Sequence, residues 1–197
     1  MALFENIVAE CSPVAIVETG TYIGTTTERL AATQIPIYSV ENNPRAYGFA
    51  RNRLWRRRNV HLKRGDSRAA LRAWLNGPLH NYSGGHLLFY LDAHWWGSDL
   101  PLNEEIDIIF SHCSKAIVMI DDFSVPFDDG YSYDGYGDGK VLAPAYIEPA
   151  VRSFQLRAFY PSTPSAKETG ARRGCVVLVR EASLIQIMES LPLLRAP

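Results

Sequence analysis

A three-layer α/β sandwich is predicted, with a mostly parallel seven-stranded sheet and an antiparallel last strand, from three features of the 197-residue chain. Short β-branched runs alternate with amphipathic stretches along nearly its whole length. Several of these runs are apolar without a break, as strands covered on both faces must be. The last two runs are joined by "YPSTPSAKETGARRG", which carries no helix signal, so they pair as an antiparallel hairpin.

In order, the strands are VAIVET (14–19), IPIYSVE (35–41), VHLKRGD (60–66), LLFYLDA (87–93), AIVMIDD (116–122), LRAFYPS (156–162) and GCVVLVR (174–180). Helices fill the gaps at Thr25–Thr33, Pro44–Trp55, Ser67–Leu75, Leu102–His112 and Tyr146–Phe154. No repeat of solenoid length interrupts the alternation. Residues 124–143 do break it, being rich in Gly, Asp and Tyr. A loop of that length directly after the fifth strand is expected to be a lid over the substrate side. Its Gly130, Gly135, Gly137 and Gly139 permit movement, and Tyr131, Tyr133 and Tyr136 supply stacking.

Composition narrows the function. Hydrophobic residues make up 47% and charged residues 21%, with a formal net charge of -1, so no global field recruits nucleic acid or an anionic membrane. The length suits a single domain, residues 1–197. No apolar stretch approaches a membrane span, and Glu5 and Glu10 interrupt any signal-like run at the start. Cys11, Cys113 and Cys175 are widely spaced and odd in number, which fits reduced thiols in a cytoplasmic protein.

Carboxylates recur where strands end: Glu18, Glu41, Asp66, Asp92, Asp121 and Asp122. Ligands in open α/β sheets sit outside those ends. Asp66, ahead of Ser67 and a helix, serves equally well as a helix cap. Glu41 can accept hydrogen bonds from ribose hydroxyls, which also allows a dinucleotide. The first turn, however, reads Glu18-x-Gly20-x-x-x-Gly24, with the wrong glycine spacing for a pyrophosphate and an acid that would repel one. An ammonium-bearing ligand with a ribose suits it better.

In this loop, the acid ending the second strand, "GDS" at 65–67 and the antiparallel last pair, the chain resembles the Rossmann-like class I S-adenosylmethionine-dependent methyltransferases. The resemblance implies that Glu18, Gly20 and Gly24 hold the methionine end of S-adenosylmethionine, Glu41 the ribose, and Asp66 with Ser67 the adenine. Asp92 with Asp121 and Asp122 looks like the acidic set of metal-dependent small-molecule O-methyltransferases of the macrolide-sugar and catechol types. That likeness implies one Mg²⁺ positioning a hydroxylated acceptor; Arg172 and Arg173, before the last strand, are the alternative counter-charges for these acids. The catechol type has Asp-Asn where this chain has Asp121-Asp122, and a lysine near the first Asp where this chain has Ala93, His94, Trp95 and Trp96.

His94, two residues past Asp92, is a candidate general base; it can equally be a loop histidine bonded to a carbonyl. Trp95 and Trp96 offer either a stacking surface for the acceptor or a cover for the next helix. The basic run "RNRLWRRRNVHLKR" (51–64) reads as a solvated helix end rather than an RNA site. The expectation is a methyltransferase acting on an oxygen of a sugar or glycosylated metabolite, with a homodimer left open. The rivals are an NAD(P)-dependent oxidoreductase and a non-catalytic binder of the same cofactor.

Overall fold

The computed structural model describes residues 2–82, 84–93, 99–137 and 139–197. In chain order its elements are α1 (Ala2–Cys11), β1 (Ala15–Thr19), α2 (Thr25–Leu30), β2 (Ile37–Glu41), α3 (Pro44–Leu54), β3 (Val60–Arg64), α4 (Ser67–Leu75) and β4 (Leu87–Leu91). There follow α5 (Leu102–His112), β5 (Ala116–Asp121), α6 (Pro144–Phe154), β6 (Arg157–Pro161), β7 (Cys175–Val179), α7 (Ala182–Ser190) and β8 (Leu194–Arg195). The described residues contain eight strands, β1–β4 in residues 13–113 and β5–β8 in residues 114–197. The chain forms two compact units, residues 13–113 and residues 1–12 with 114–197.

The 13–113 unit contains strands in the order β3-β2-β1-β4, all parallel. Strands β1, β2 and β4 are buried at every position; β4 is apolar throughout, while β1 and β2 bury Glu18, Thr19, Ser39 and Glu41 as well. β3 is half-exposed and carries Lys63 and Arg64 outward, a charged edge strand. Two helices start from side-chain caps. Asn43 Oδ1 accepts from Arg45 N and Ala46 N at 2.9 and 3.1 Å, and Asp66 Oδ1 accepts from Arg68 N and Ala69 N at 2.9 and 3.2 Å.

The other unit has the order β5-β7-β6-β8, with antiparallel pairing throughout. The expected hairpin is there: Arg157 pairs with Val179 and Phe159 with Val177. All seven expected strands form, each within about two residues of the expected ends. The eighth is the short β8, which pairs Tyr160 with Arg195. Two helices lie beyond the alternating region. In α1 the buried stripe Phe4, Ile7 and Cys11 follows helical spacing, so Glu5 and Glu10 are its polar side rather than interruptions. In α7, Leu184 and Met188 are one turn apart and buried. Cys11, Cys113 and Cys175 are buried, and no disulfide joins them. Among the described residues no helix is long and apolar enough to cross a membrane.

Residues 124–143 are folded against the β6–β7 connection, apart from Asp138, which lies outside the described residues. Ser132 N donates to Arg172 O at 2.7 Å, and Leu142 N to Asp134 O at 3.0 Å. Tyr131 is buried, and its hydroxyl donates to Thr163 O at 2.8 Å, so it anchors the segment instead of offering a stacking face. A Cβ on Gly130 would stand 2.1 Å from Ser165 Oγ, which makes that glycine a packing contact rather than a hinge. Of Tyr131, Tyr133 and Tyr136, Tyr133 is the exposed ring, at 48%. Hydrogen exchange of the ligand-free protein should therefore show the amides of Ser132, Asp134 and Leu142 protected by at least about tenfold over exposed loop amides. Exchange at the unfolded rate would mean that the segment opens freely.

Candidate cofactor site

The loop after β1 is laid tightly across its neighbours. Gly20 N and Thr21 N both donate to Val40 O, at 3.0 and 3.2 Å, and Asp92 N donates to Thr19 O at 2.9 Å. Gly20 adopts φ +87°, and a Cβ there would lie 2.2 Å from the Asp92 carbonyl oxygen. Only glycine fits. The requirement comes from backbone meeting backbone, not from the approach of a ligand. Beyond this point a cavity of about 300 Å³ opens at the carboxyl ends of the parallel strands, within the 13–113 unit.

Of the residues predicted for the site, Gly20, Glu41, Asp66, Ser67 and Asp92 line this cavity. Glu18 and Gly24 do not. Gly24 starts α2 with φ +80°, and its missing Cβ leaves room for Ala50 and Leu54 of α3, so its role is helix packing. Glu18 is fully buried, and its Oε2 accepts from Thr27 Oγ1 and Ser39 Oγ, both at 2.5 Å. The single Ser39 proton goes to Glu18, so Thr21 Oγ1 donates to Ser39 Oγ at 2.6 Å. Through Oε2, Glu18 thus secures the loop from inside the fold. Burial pushes its carboxyl up to about 7, against the lowering effect of the two hydroxyls.

Glu41 is held from two sides: Tyr22 N donates to Oε2 and Asn43 N to Oε1, each at 2.6 Å. Each carboxylate oxygen has a second lone pair, so two acceptor positions remain beside the cavity. Asp66 caps α4 and is also paired with Arg68, whose Nη2 lies 2.7 Å from Oδ2. That guanidinium holds Asp66 below the usual carboxylate range. Arg68 also pairs with Asp99 at 2.8 Å and Glu104 at 2.9 Å, so one cation ties three carboxylates at the cavity rim. Sequence reasoning passed over Arg68 because nothing in "GDSR" marks the last residue as the hub.

It also passed over Glu105. Glu105 lies in the apolar stripe of α5 with Leu102, Ile106 and Ile109 and is fully buried beside Ser67 and Thr19. A charged residue inside an apolar stripe was the available signal. Burial pushes this carboxyl, too, up to about 7.

Asp121 and Asp122 belong to the other unit. Asp122 has φ +53° and is 5% exposed; Arg173 Nε sits 2.9 Å from its Oδ1, and Arg173 Nη1 is 2.8 Å from Asp134 Oδ1. Burial, with Asp121 close by, pushes Asp122 up to about 7 even against the pull of Arg173. A guanidinium thus takes the counter-charge position that the sequence reading gave to Mg²⁺. Among the described residues, no group of three His, Cys, Asp or Glu is placed to hold a metal ion. His94, with Trp95 and Trp96, lies outside the described residues.

No protein-family model matches the sequence, and no curated protein does. Solved structures do resemble it. The methyltransferase domain of bacterial CtHen1 superposes with a TM-score of 0.59 at 12% identity, covering 91% of this chain and 96% of that one. CalS10, an S-adenosylmethionine-bound amino pentose methyltransferase from Micromonospora echinaspora, gives 0.58 at 16%, covering 91% and 89%. The glycopeptide N-methyltransferase MtfA gives 0.57 at 11%, covering 91% and 90%. The chain has the fold of the class I S-adenosylmethionine-dependent methyltransferases.

The buried carboxyls set a pH dependence. Glu18 and Glu105 bind a proton more tightly in the folded chain, near 7, than at their ordinary 4.5. The stability this contributes is full below about pH 4.5 and is lost as pH rises through about 7. Glu105→Gln should then unfold at a higher temperature than wild type at pH 8 and nearly match it at pH 5. The gain at pH 8 should reach at most about 3 kcal/mol, at roughly 2–4 °C per kcal/mol. Circular-dichroism melts at the two pH values check this, and a variant less stable than wild type at pH 8 would refute it.

Proposed function

We propose that the protein transfers a methyl group from S-adenosylmethionine to an oxygen of a small hydroxylated acceptor, a sugar or a glycosylated metabolite. The observation that carries this reading is Glu41, held by two backbone amides with acceptor positions left beside the cavity in a methyltransferase fold. A carboxylate so fixed is prepared for the two vicinal hydroxyls of a ribose. Asp66, the cap of α4, and Ser67 line the same cavity and are the residues assigned to the adenine. The cofactor, when bound, supplies an electrophilic methyl group on a sulfonium.

Oxygen is favoured because a hydroxyl nucleophile must lose its proton, whereas a neutral amine can attack with its own lone pair. Asp92 lines the cavity and is assigned to take that proton, with His94, two positions on in the sequence, as the other candidate base. The amino pentose acceptor named for CalS10 supports a sugar-like acceptor here. Metal assistance is not part of this proposal: a divalent ion on Asp122 would have to displace Arg173.

Isothermal titration should show S-adenosylhomocysteine binding and NAD not binding. Glu41→Ala should weaken the S-adenosyl ligand by about 1.5–3 kcal/mol without unfolding the protein. Tight NAD binding without S-adenosyl binding would overturn the assignment, and unchanged affinity in the variant would place the ribose elsewhere. Titration of Mg²⁺ into the S-adenosylhomocysteine complex should give no heat at millimolar concentrations; stoichiometric binding lost in Asp122→Asn would restore a metal mechanism.

A further inference from the structure

Between Glu41 and Asp66 the chain carries eight Lys or Arg residues and no Asp or Glu. All eight are exposed. Among the described residues only Arg53 and Arg57 have a carboxylate partner, and both use Glu28, at 3.2 and 3.1 Å. Complementing a helix dipole takes cations within the last turn. This run continues past α3, through the turn and along β3 to Arg64.

The same surface exposes aromatic rings. Phe49 is 55% and Trp55 72% exposed. Arg45, Phe49 and Arg53 follow one another at four-residue spacing, a ridge beside the buried row Ala46, Ala50 and Leu54. The ridge therefore places a ring between two cations. Phe49 and Arg53 also border a shallow depression with Ile23. At the end of the helix the Arg56 guanidinium sits 4.6 Å from the Trp55 ring centroid.

Cations alternating with single exposed rings match a strand whose phosphates and flat bases also alternate. A membrane surface would call for an outward apolar face, and the apolar row of α3 points inward. An acidic protein would satisfy the arginines and leave the rings without flat partners. We propose that the face running from Arg45 through Phe49 and Trp55 to Arg58 binds single-stranded nucleic acid, with arginines on phosphates and rings stacked on bases. Sequence alone gives a solvated helix end here; the exposed rings and the missing carboxylates change that reading. The proposal is independent of the methyl acceptor.

The test is fluorescence anisotropy with a labelled single-stranded RNA of about 15 nucleotides, the matching DNA strand and the duplex. Wild type should bind both single strands at micromolar concentration in about 50 mM salt, with log K falling against log salt at a slope near −3 for about four neutralised phosphates. Phe49→Ala with Trp55→Ala should weaken binding about tenfold and leave the slope unchanged. Arg56→Gln with Arg58→Gln should flatten the slope by about 1.4. None of the four residues lines the cofactor cavity, so S-adenosylhomocysteine affinity should not change and reports intact folding. The proposal is overturned if no single strand binds at tens of micromolar, or if the aromatic variant binds like wild type. Co-sedimentation with anionic phosphatidylglycerol vesicles in place of oligonucleotide binding would also overturn it.

Discussion

The crossing of backbones at the end of β1 is the constraint on which the site depends. Gly20 and Thr21 share the Val40 carbonyl, Asp92 returns a hydrogen bond to Thr19, and no side chain fits between Gly20 and the Asp92 carbonyl. Strand ends drawn this close leave the side chains just beyond them, Glu41 and Asp92, around one opening. Beneath the crossing the chain uses hydrogen-bonded polar groups instead of apolar ones: Glu18, Ser39, Thr21 and Thr27 are all buried and linked. Such a network fixes the loop more narrowly than apolar packing could, because each oxygen accepts only from certain directions.

Two acidic clusters in this protein are organised around single arginines. Arg68 pairs with three carboxylates, Asp66, Asp99 and Glu104, and Arg173 pairs with two, Asp122 and Asp134. In both clusters the arginine supplies a planar fork that meets several oxygens at once. A single arginine thereby keeps an acidic strand end folded while leaving neighbouring acids, Glu41 among them, bound to backbone amides.

The elements were legible because their signals are local. Buried strands are continuous apolar runs, and Ser67–Leu75 and Leu102–His112 have the expected bounds. The direction of Glu18 was not legible. A strand buried on both faces has no polar alternation, so the period of two does not show which side of the sheet an acid occupies. Asp66 was visible in both its roles, as cap and as cavity wall, and has both. The Asp122–Arg173 pair was legible only as an alternative to a metal, because it joins distant parts of the chain through the antiparallel return of β7 beside β5. The helices α1 and α7 escaped notice because each buries a stripe of only a few residues, Phe4, Ile7 and Cys11 in one and Leu184 and Met188 in the other.

The cysteines have a practical consequence. Cys11, Cys113 and Cys175 are all buried, and burial pushes the thiols of Cys11 and Cys175 away from the reactive thiolate. In the native protein a thiol reagent therefore meets very little nucleophile, and the rate of modification is set by how often each sulfur is uncovered. Cys113 lies in the 13–113 unit, and Cys11 and Cys175 in the other. The wild-type chain thus carries built-in chemical clocks, one for the unit that holds the cavity and two for its counterpart, with no label having to be introduced.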